Sequence, residues 1–380
     1  MHLAFLTPEY PHPRVHSSAG IGTSVGNLAV ALTAEGIKVS VFVYGQKEDA
    51  VFSENGIKFH LIRQRKFSLA GWFFHRKFLQ NYLNKFIVVD KIEAIEAPDW
   101  TGITAFMKLR CPLVIRMHGS DSYFCKLEGR PQKKKNFWFE REALQGADGL
   151  LSVSEFTARQ TTKIFKLKQK IEIIPNSVDT RFFSPSTKEV EPDMLLYFGS
   201  LIRKKGLLEL AEIFNLVVKQ KPEAKLVLLG KDVKDILENR STFELFQEKL
   251  SQDAKRQVQN ITWIDYKNVR GYIASAAVIT LPSFAEALPM TWLESMSMGK
   301  ALVTSNIGWA KEIMINGKTG YTVDPKNHTA FAEKIIRLLN DQELSIKMGR
   351  RAREQVINKF STQVVVQQNI DIFKKMIQSS

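Results

Sequence analysis

Short, strongly apolar runs alternate with segments whose apolar positions recur every three or four residues, almost from one end of the chain to the other. "LAFLT" (3–7), "KVSVFVY" (38–44), "LVIRMHG" (113–119), "GLLSVS" (149–154) and "IEIIP" (171–175) predict strands. Between the first two, "TSVGNLAVALTAEG" sets Val25, Leu28, Ala29 and Leu32 at helical spacing, with Gly36 as the stop. The polar, proline-bearing "FSPSTKEVEPD" (183–193) interrupts the pattern and predicts a linker. The alternation then resumes with "MLLYFG", a helix through Leu207, Leu210, Ala211, Phe214, Val217 and Val218, and the strands "KLVLLG", "ITWIDY", "AVITLPS" and "ALVTSN". Strands alternating with helices imply parallel sheets covered on both faces. The expected fold is therefore α/β, with two doubly wound domains, 1–182 and 194–361, facing each other across a cleft. A last helix, 362–380, is expected to pack back on the first domain.

A length of 380 residues suits two domains of ordinary size, and 44% apolar with 24% charged residues are globular values. The first apolar run is too short for a signal peptide. No window approaches the ~18 to 20 apolar residues of a membrane span, so a cytoplasmic protein is expected. Cys111 and Cys125 match neither a metal spacing nor a disulfide framework. The balance of 54 basic to 39 acidic side chains, +15, favours polyanionic surfaces. The excess is local: residues 60–89 hold six Lys or Arg and no acid, interleaved with aromatics, and a second basic run spans 126–139. Trp72, Leu79, Tyr82, Leu83 and Phe86 form one apolar helix face, which Phe73 and Phe74 do not join. With Arg63, Arg65, Lys66, Arg76, Lys77 and Lys133 to Lys135, those two rings suit docking on anionic lipid. A solvated basic face beside core aromatics is the alternative.

Ligands of doubly wound sheets bind outside the carboxyl ends of the strands, which directs attention to four segments. The loop after the first strand reaches Gly20 and Gly22 at a helix start, where a phosphate or sugar can approach the backbone; the order G-x-G-x-x-x-G differs from the dinucleotide fingerprint. A tight turn explains it equally well. "LVIRM" delivers His118 and Gly119 to a strand end, suited either to a sugar hydroxyl or to a structural role. "YFGSLIRKKG" gathers Ser200, Arg203, Lys204 and Lys205 around a glycine turn, a place for cations that neutralise a diphosphate. In "SFAEALPMTWLESMSMGK" (283–300), Pro289 and Gly299 bracket a helix of roughly 289–298, with Glu286 in the loop entering it and Glu294 inside it. Those two acids are either sugar-binding carboxylates or a capping acid and a solvated helix glutamate.

Taken in order, "AGIGTSVGNLAVAL", "HGSD", "IPNSVDTRFF", "GSLIRKKGLLEL" and the long "SFAEALPMTWLESMSMGKALVTSNIGWAKEIMINGKTGYTVDP" resemble the retaining glycosyltransferases of family 4, which have the GT-B fold. E-x7-E, here Glu286 to Glu294, is the most specific element. The resemblance implies that Glu286 touches donor-sugar hydroxyls and faces the reacting carbon, with the backbone of Ala287, Leu288, Pro289 and Met290 lining the sugar and diphosphate. It implies that Glu294 holds the ribose, that Lys205 stabilises the diphosphate, that His118 lies near the donor sugar and acceptor, and that Gly20, followed by Gly22, approaches the phosphates. Two positions depart from the family: Ser200 stands where an arginine is frequent, leaving Arg203 to supply that charge, and Ala19 stands in a usual glycine pair.

The activity this implies is retaining transfer of a sugar from a UDP- or GDP-linked donor to a glycan, lipid-linked or of the cell envelope. The first domain would take the acceptor and the second the nucleotide sugar. No Asp-x-Asp is present, so no metal and no cofactor are expected. A nucleotide sugar, a glycan acceptor and an anionic membrane surface are the expected partners, nucleic acid is not, and the location is cytoplasmic or peripheral on the cytoplasmic membrane face. An epimerase or phosphorylase of the same fold is the enzymatic alternative. A basic membrane- or nucleic-acid-binding protein with an inactive site is the non-enzymatic one.

Overall fold

A computed structural model describes residues 1–16, 18–68 and 70–378. The chain divides into two units, Met1–Ser177 with Thr362–Ser380, and Val178–Ser361. The first is built on strands β1 (His2–Thr7), β2 (Lys38–Gln46), β3 (Ala50–Glu54), β4 (Ile57–Arg63), β5 (Ala94–Pro98), β6 (Leu113–Met117), β7 (Gly149–Ser152) and β8 (Ile171–Ile173). They form one sheet in the order β3-β4-β2-β1-β5-β6-β7-β8. Every pairing is parallel except that of β3 with β4, joined by Asn55 and Gly56 at φ 51° and 79°, the conformation Asn-Gly turns favour. β1 is buried along its whole length, as a central parallel strand covered on both faces must be.

One face of this sheet packs against the helix Gly71–Asp90 through Leu79, Leu83 and Ile87, and against Lys134–Gln145 through Phe139 and Leu144. The other packs against Gly20–Ala34 through Val25, Leu28 and Leu32, and against the terminal helix Thr362–Gln378 through Val365, Ile370 and Phe373. Residues 379 and 380 of the expected terminal helix lie outside the described residues. A buried ion pair ties this helix in: the Arg116 guanidinium donates to both Glu96 oxygens at 2.8 Å, to the Ile174 carbonyl at 3.3 Å and to Asn369 Oδ1 at 2.5 Å.

The second unit holds β9 (Glu191–Phe198), β10 (Lys225–Leu229), β11 (Val258–Ile261), β12 (Ala276–Leu281), β13 (Leu302–Ser305) and β14 (Tyr321–Val323), ordered β11-β10-β9-β12-β13-β14 and parallel throughout. Its helix Leu207–Gln220 buries Leu207, Leu210, Ala211, Phe214 and Val217, the spacing expected from the sequence.

Three expectations are corrected. Residues 183–193 are not a linker: Phe183 is buried, Glu191 to Asp193 open β9, and the second unit already begins at Val178, whose N–H donates to the Phe360 carbonyl at 2.9 Å. Polar, proline-rich composition reported exposure, which residues 186–189 have, but the segment runs over one unit's surface. "ITWIDY" is not a strand: pairing with Leu226–Leu229 consumes Val258–Ile261, and Tyr266 opens a helix. Arg76 is not a surface residue. It is 9% exposed, donates to the carbonyls of Trp72 at 3.2 Å and Gly102 at 3.0 Å, and lies 3.8 Å from the Phe139 ring centre. Burial depresses its pKa to about 10. Arg65 is also engaged, with Asp49 at 2.5 Å. Among the described residues no helix is long and apolar enough to cross a membrane.

Because Arg116 and Glu96 are each about 3% exposed, removing one leaves the other charged in a dry interior. Arg116→Met is expected to destabilise the protein by about 3 to 5 kcal/mol in chemical unfolding, and adding Glu96→Gln should recover part of the loss. Equal stability of Arg116→Met and wild type would show that the pair does not hold the unit together.

Candidate active site

In the second unit β9 runs out at Phe198 into Gly199 and Ser200, followed by a single 3-10 turn, Arg203–Lys205, and Gly206 at φ 72°. Gly206 admits no side chain: a Cβ there would fall 2.0 Å from the Pro282 carbonyl oxygen. This approach presses the turn onto the loop that follows β12. The N–H groups of Phe284 and Ala285 donate to the Lys204 carbonyl at 2.8 and 3.3 Å, zipping the two loops together. The result is a cation beside a carboxylate, Lys205 Nζ 3.4 Å from Glu286 Oε1, both partly open at 22% and 13% side-chain exposure. Ser283 Oγ donates to the same carboxylate oxygen at 3.1 Å. Beneath them the buried Tyr197 donates to the Ser200 carbonyl at 2.9 Å; burial first, then the negative charge of Glu286, holds its phenol well above its ordinary pKa.

Pro289 stands just before the helix Met290–Ser297, which starts without a side-chain cap, and Gly299 follows at φ 70°. The side chains of Ala287, Leu288 and Met290 are buried, which leaves this segment's backbone as its polar face. Glu294 is 3% exposed, so it is not a solvated helix glutamate. The Tyr266 hydroxyl donates to its Oε1 at 2.5 Å. Burial raises the Glu294 pKa to about 7, against the opposing effects of that hydrogen bond and of the Lys205 charge. Lys205 thus acts on both carboxylates.

Arg203 stands apart from them. Its guanidinium grips the fully buried Asp235 carboxylate at 2.7 and 3.1 Å and Glu238 at 3.0 Å, and the Asp235 hydrogen bond is the main cause raising its pKa. It fastens the loop after β9 to the loop after β10, and its charge is already matched by acids. Ser200 is exposed.

In the first unit, Gly20 and Gly22 open the helix Gly20–Ala34, but an anion already sits there. The Gly22 N–H donates to Glu9 Oε1 at 2.7 Å, and a Cβ on Gly22 would stand 3.1 Å from the Glu9 carbonyl carbon and Tyr10 nitrogen. Gly22 therefore serves the packing of residues 9–10 on the helix. Around a Cβ on Gly20 the space within 4 Å is open. Glu9 is raised by burial, opposed by hydrogen bonds from Gly22, Ala19 and Ile21. His118 follows β6 and is 9% exposed; burial, helped by the Arg116 charge, lowers its pKa to about 3, so the imidazole is neutral. The His118 backbone N–H donates to Asp99 Oδ1 at 2.9 Å, and burial raises Asp99 to about 8.

Sequence reasoning missed Tyr266, Asp235, Glu9 and Asp99. Asp99, directly after β5, was open to the same strand-end rule that found His118. Tyr266 was hidden by reading its segment as strand. Among the described residues no group of three or more His, Cys, Asp or Glu side chains is placed to hold a metal ion.

Comparison with known proteins matches residues 178–355 to the model of glycosyl transferases group 1 and residues 18–182 to that of glycosyltransferase family 4. A glycosyltransferase of Methanocaldococcus jannaschii is 23% identical, covering 98% of each chain. Among solved structures, sucrose-phosphate synthase from Thermosynechococcus elongatus superimposes with a TM-score of 0.80 at 20% identity, covering 100% of both chains. Anabaena HepE in complex with UDP and glucose gives 0.77 at 14% identity, over 99% of this chain and 100% of its own. The fold is the one these enzymes share, GT-B, with two Rossmann-like domains.

The raised Glu294 pKa makes a stability prediction. A carboxyl whose folded pKa exceeds its unfolded value weakens the fold once both states are ionised; the penalty is full above about pH 7 and fades as pH falls towards the ordinary carboxylate range. Glu294→Gln, which keeps an acceptor for Tyr266, should therefore stabilise the free protein by roughly 2 to 3 kcal/mol near pH 8 and far less near pH 5. A gain that does not change with pH, read by chemical unfolding, would contradict the ionised, buried carboxylate.

Proposed function

The chain belongs to the family-4 glycosyltransferases, and from that premise we propose that it moves a sugar from a UDP- or GDP-linked donor to a glycan, lipid-linked or part of a cell-envelope polysaccharide, with retention at the anomeric carbon and without a metal. The observation that carries the reading is the half-buried Lys205 beside Glu286, with Glu294 within reach of the same charge. A cation flanked by two acids is built for a ligand that is anionic in its middle and rich in hydroxyls at both ends. Glu294 takes the ribose hydroxyls, Glu286 the sugar hydroxyls next to the reacting carbon, and Lys205 moves from its carboxylate to the diphosphate.

In the step itself the bond from the anomeric carbon to the diphosphate oxygen breaks through an oxocarbenium-like transition state. The acceptor oxygen bonds to that carbon on the same face, and its proton passes to the departing diphosphate oxygen. Charge stabilisation by Lys205 and by the backbone from Ala287 to Met290 supplies most of the rate. A histidine held neutral with a pKa near 3 is a poor proton acceptor, which favours the leaving oxygen as base and gives His118 a hydrogen-bonding role towards sugar or acceptor. Arg203, matched by Asp235 and Glu238, shapes the loop that presents Lys205. A lipid-linked acceptor would bring the protein to a membrane face.

Screening nucleotide sugars by melting temperature tests the donor, since a ligand of the native state raises it. At least one UDP- or GDP-sugar is expected to do so, and a flat response to all of them would overturn the reading. With that donor, transfer to glycan acceptors is expected to persist in excess EDTA. Activity restored only by magnesium or manganese would reassign the diphosphate contact from Lys205 to a metal.

Glu286→Ala and Lys205→Ala should each lower turnover at least ~100-fold with the fold intact, about 3 kcal/mol of transition-state stabilisation. Glu294→Ala should mainly raise the donor KM. Near-normal turnover in Glu286→Ala would refute the assignment.

A further inference from the structure

We propose that the first unit carries a prebuilt aromatic platform, Phe73, Phe74, Phe106 and Trp138, that docks on an anionic lipid surface. The rings are 39 to 47% exposed. They are contiguous through Trp72: its ring centre lies 5.8 Å from Phe73, 6.2 Å from Phe106 and 5.8 Å from Trp138, while Phe73 is 5.6 Å from Phe74 and Phe106 is 5.0 Å from Trp138. An exposed cluster of large rings on one face is costly in water, and its persistence marks a contact surface.

The platform is held rigid from below. The buried Arg76 joins the three segments that present the rings: it lies on the helix Gly71–Asp90, donates to the Gly102 carbonyl and stacks on Phe139 of the helix Lys134–Gln145. Gly102, at φ 57°, is pressed so close that a Cβ would meet the Phe139 carbonyl oxygen at 2.2 Å. Phe106 itself sits at φ 64°, a conformation unfavourable for a bulky residue, while its ring points out to 45% exposure. Backbone strain that keeps an aromatic ring in water has a use only if something covers the ring.

The rim decides what that is. Lys77 lies one helical turn from Phe73 and Phe74, and Lys133, Lys134 and Lys135 lead into the helix that carries Trp138; all four are exposed. The lysine ion pairs among the described residues are elsewhere in the chain. Rings at headgroup depth, ringed by uncompensated cations, match a bilayer interface with anionic lipids. A second copy of the chain fits poorly, because a two-fold contact centred on this patch brings lysines of the same sign against each other.

The inference names where the acceptor of the proposed reaction is met, yet it is measured without sugar transfer, so either can fail without the other. Co-sedimentation with vesicles of phosphatidylglycerol and phosphatidylcholine, against phosphatidylcholine alone, is the test. Binding is expected only with phosphatidylglycerol and should weaken with salt. The exposed-ring variant Phe73→Gln/Phe106→Asn/Trp138→Gln, with asparagine chosen because it tolerates positive φ, should melt as wild type does and bind at least ~10-fold more weakly, as should Lys133→Glu/Lys134→Glu/Lys135→Glu. Absence of binding, binding indifferent to both variants, or self-association in sedimentation velocity that the ring variant abolishes would each overturn the proposal.

Discussion

The Pro282 carbonyl oxygen occupies the place where any side chain on Gly206 would have to go, and the chemistry of the second unit hangs on that approach. Because the turn after β9 can lie flat on the loop after β12, Lys204 accepts two backbone hydrogen bonds from that loop and Lys205 reaches Glu286. From there the effect spreads by charge. Lys205 opposes the burial that raises Glu294, and Glu286 adds to the burial that raises Tyr197. A backbone contact with no polar side chain of its own thus brings together charges that adjust, after burial, the pKa values of Tyr197 on β9 and of Glu294 on the helix Met290–Ser297.

The same site stores cost. A carboxylate as deeply buried as Glu294, hydrogen-bonded by the Tyr266 phenol, is a poor choice for stability. Its geometry suits a hydroxyl-bearing ligand: an acceptor kept dry and oriented by Tyr266, with the Lys205 charge opposing the burial that raises its pKa. Arg203 shows the opposite choice, with its charge fully matched by Asp235 and Glu238 so that it can act as a rivet. In the first unit Arg116 plays that part, binding adjacent strands, the end of β8 and the terminal helix at once.

Much of this was legible in the amino-acid sequence, wherever the deciding interactions are local. Periodicity located most of the parallel strands and the helices Gly20–Ala34 and Leu207–Gln220, because a buried strand or amphipathic helix writes its burial directly into its residues. Proline and glycine bracketed Met290–Ser297 to within a residue, since each acts on its own backbone angles. E-x7-E and the glycine-lysine turn marked the family before any coordinates.

What the sequence left open is what depends on which strands become neighbours. Lys205 meets Glu286 because β9 lies beside β12, and that order is chosen by the burial of whole sheet faces, not by either residue. Likewise, two arginines in basic surroundings look alike in sequence. Only the folded chain puts Arg76 beneath an aromatic platform and Arg203 against Asp235, because the partners come from other segments. Gly22, in a motif that reads as phosphate-binding, is instead the seat of Glu9, since a carboxylate from the preceding loop reaches the same helix start that a ligand would. Side-chain identity determined the elements and the chemistry on offer; the packing of elements distant in sequence decided which of those groups meet, and in which charge state.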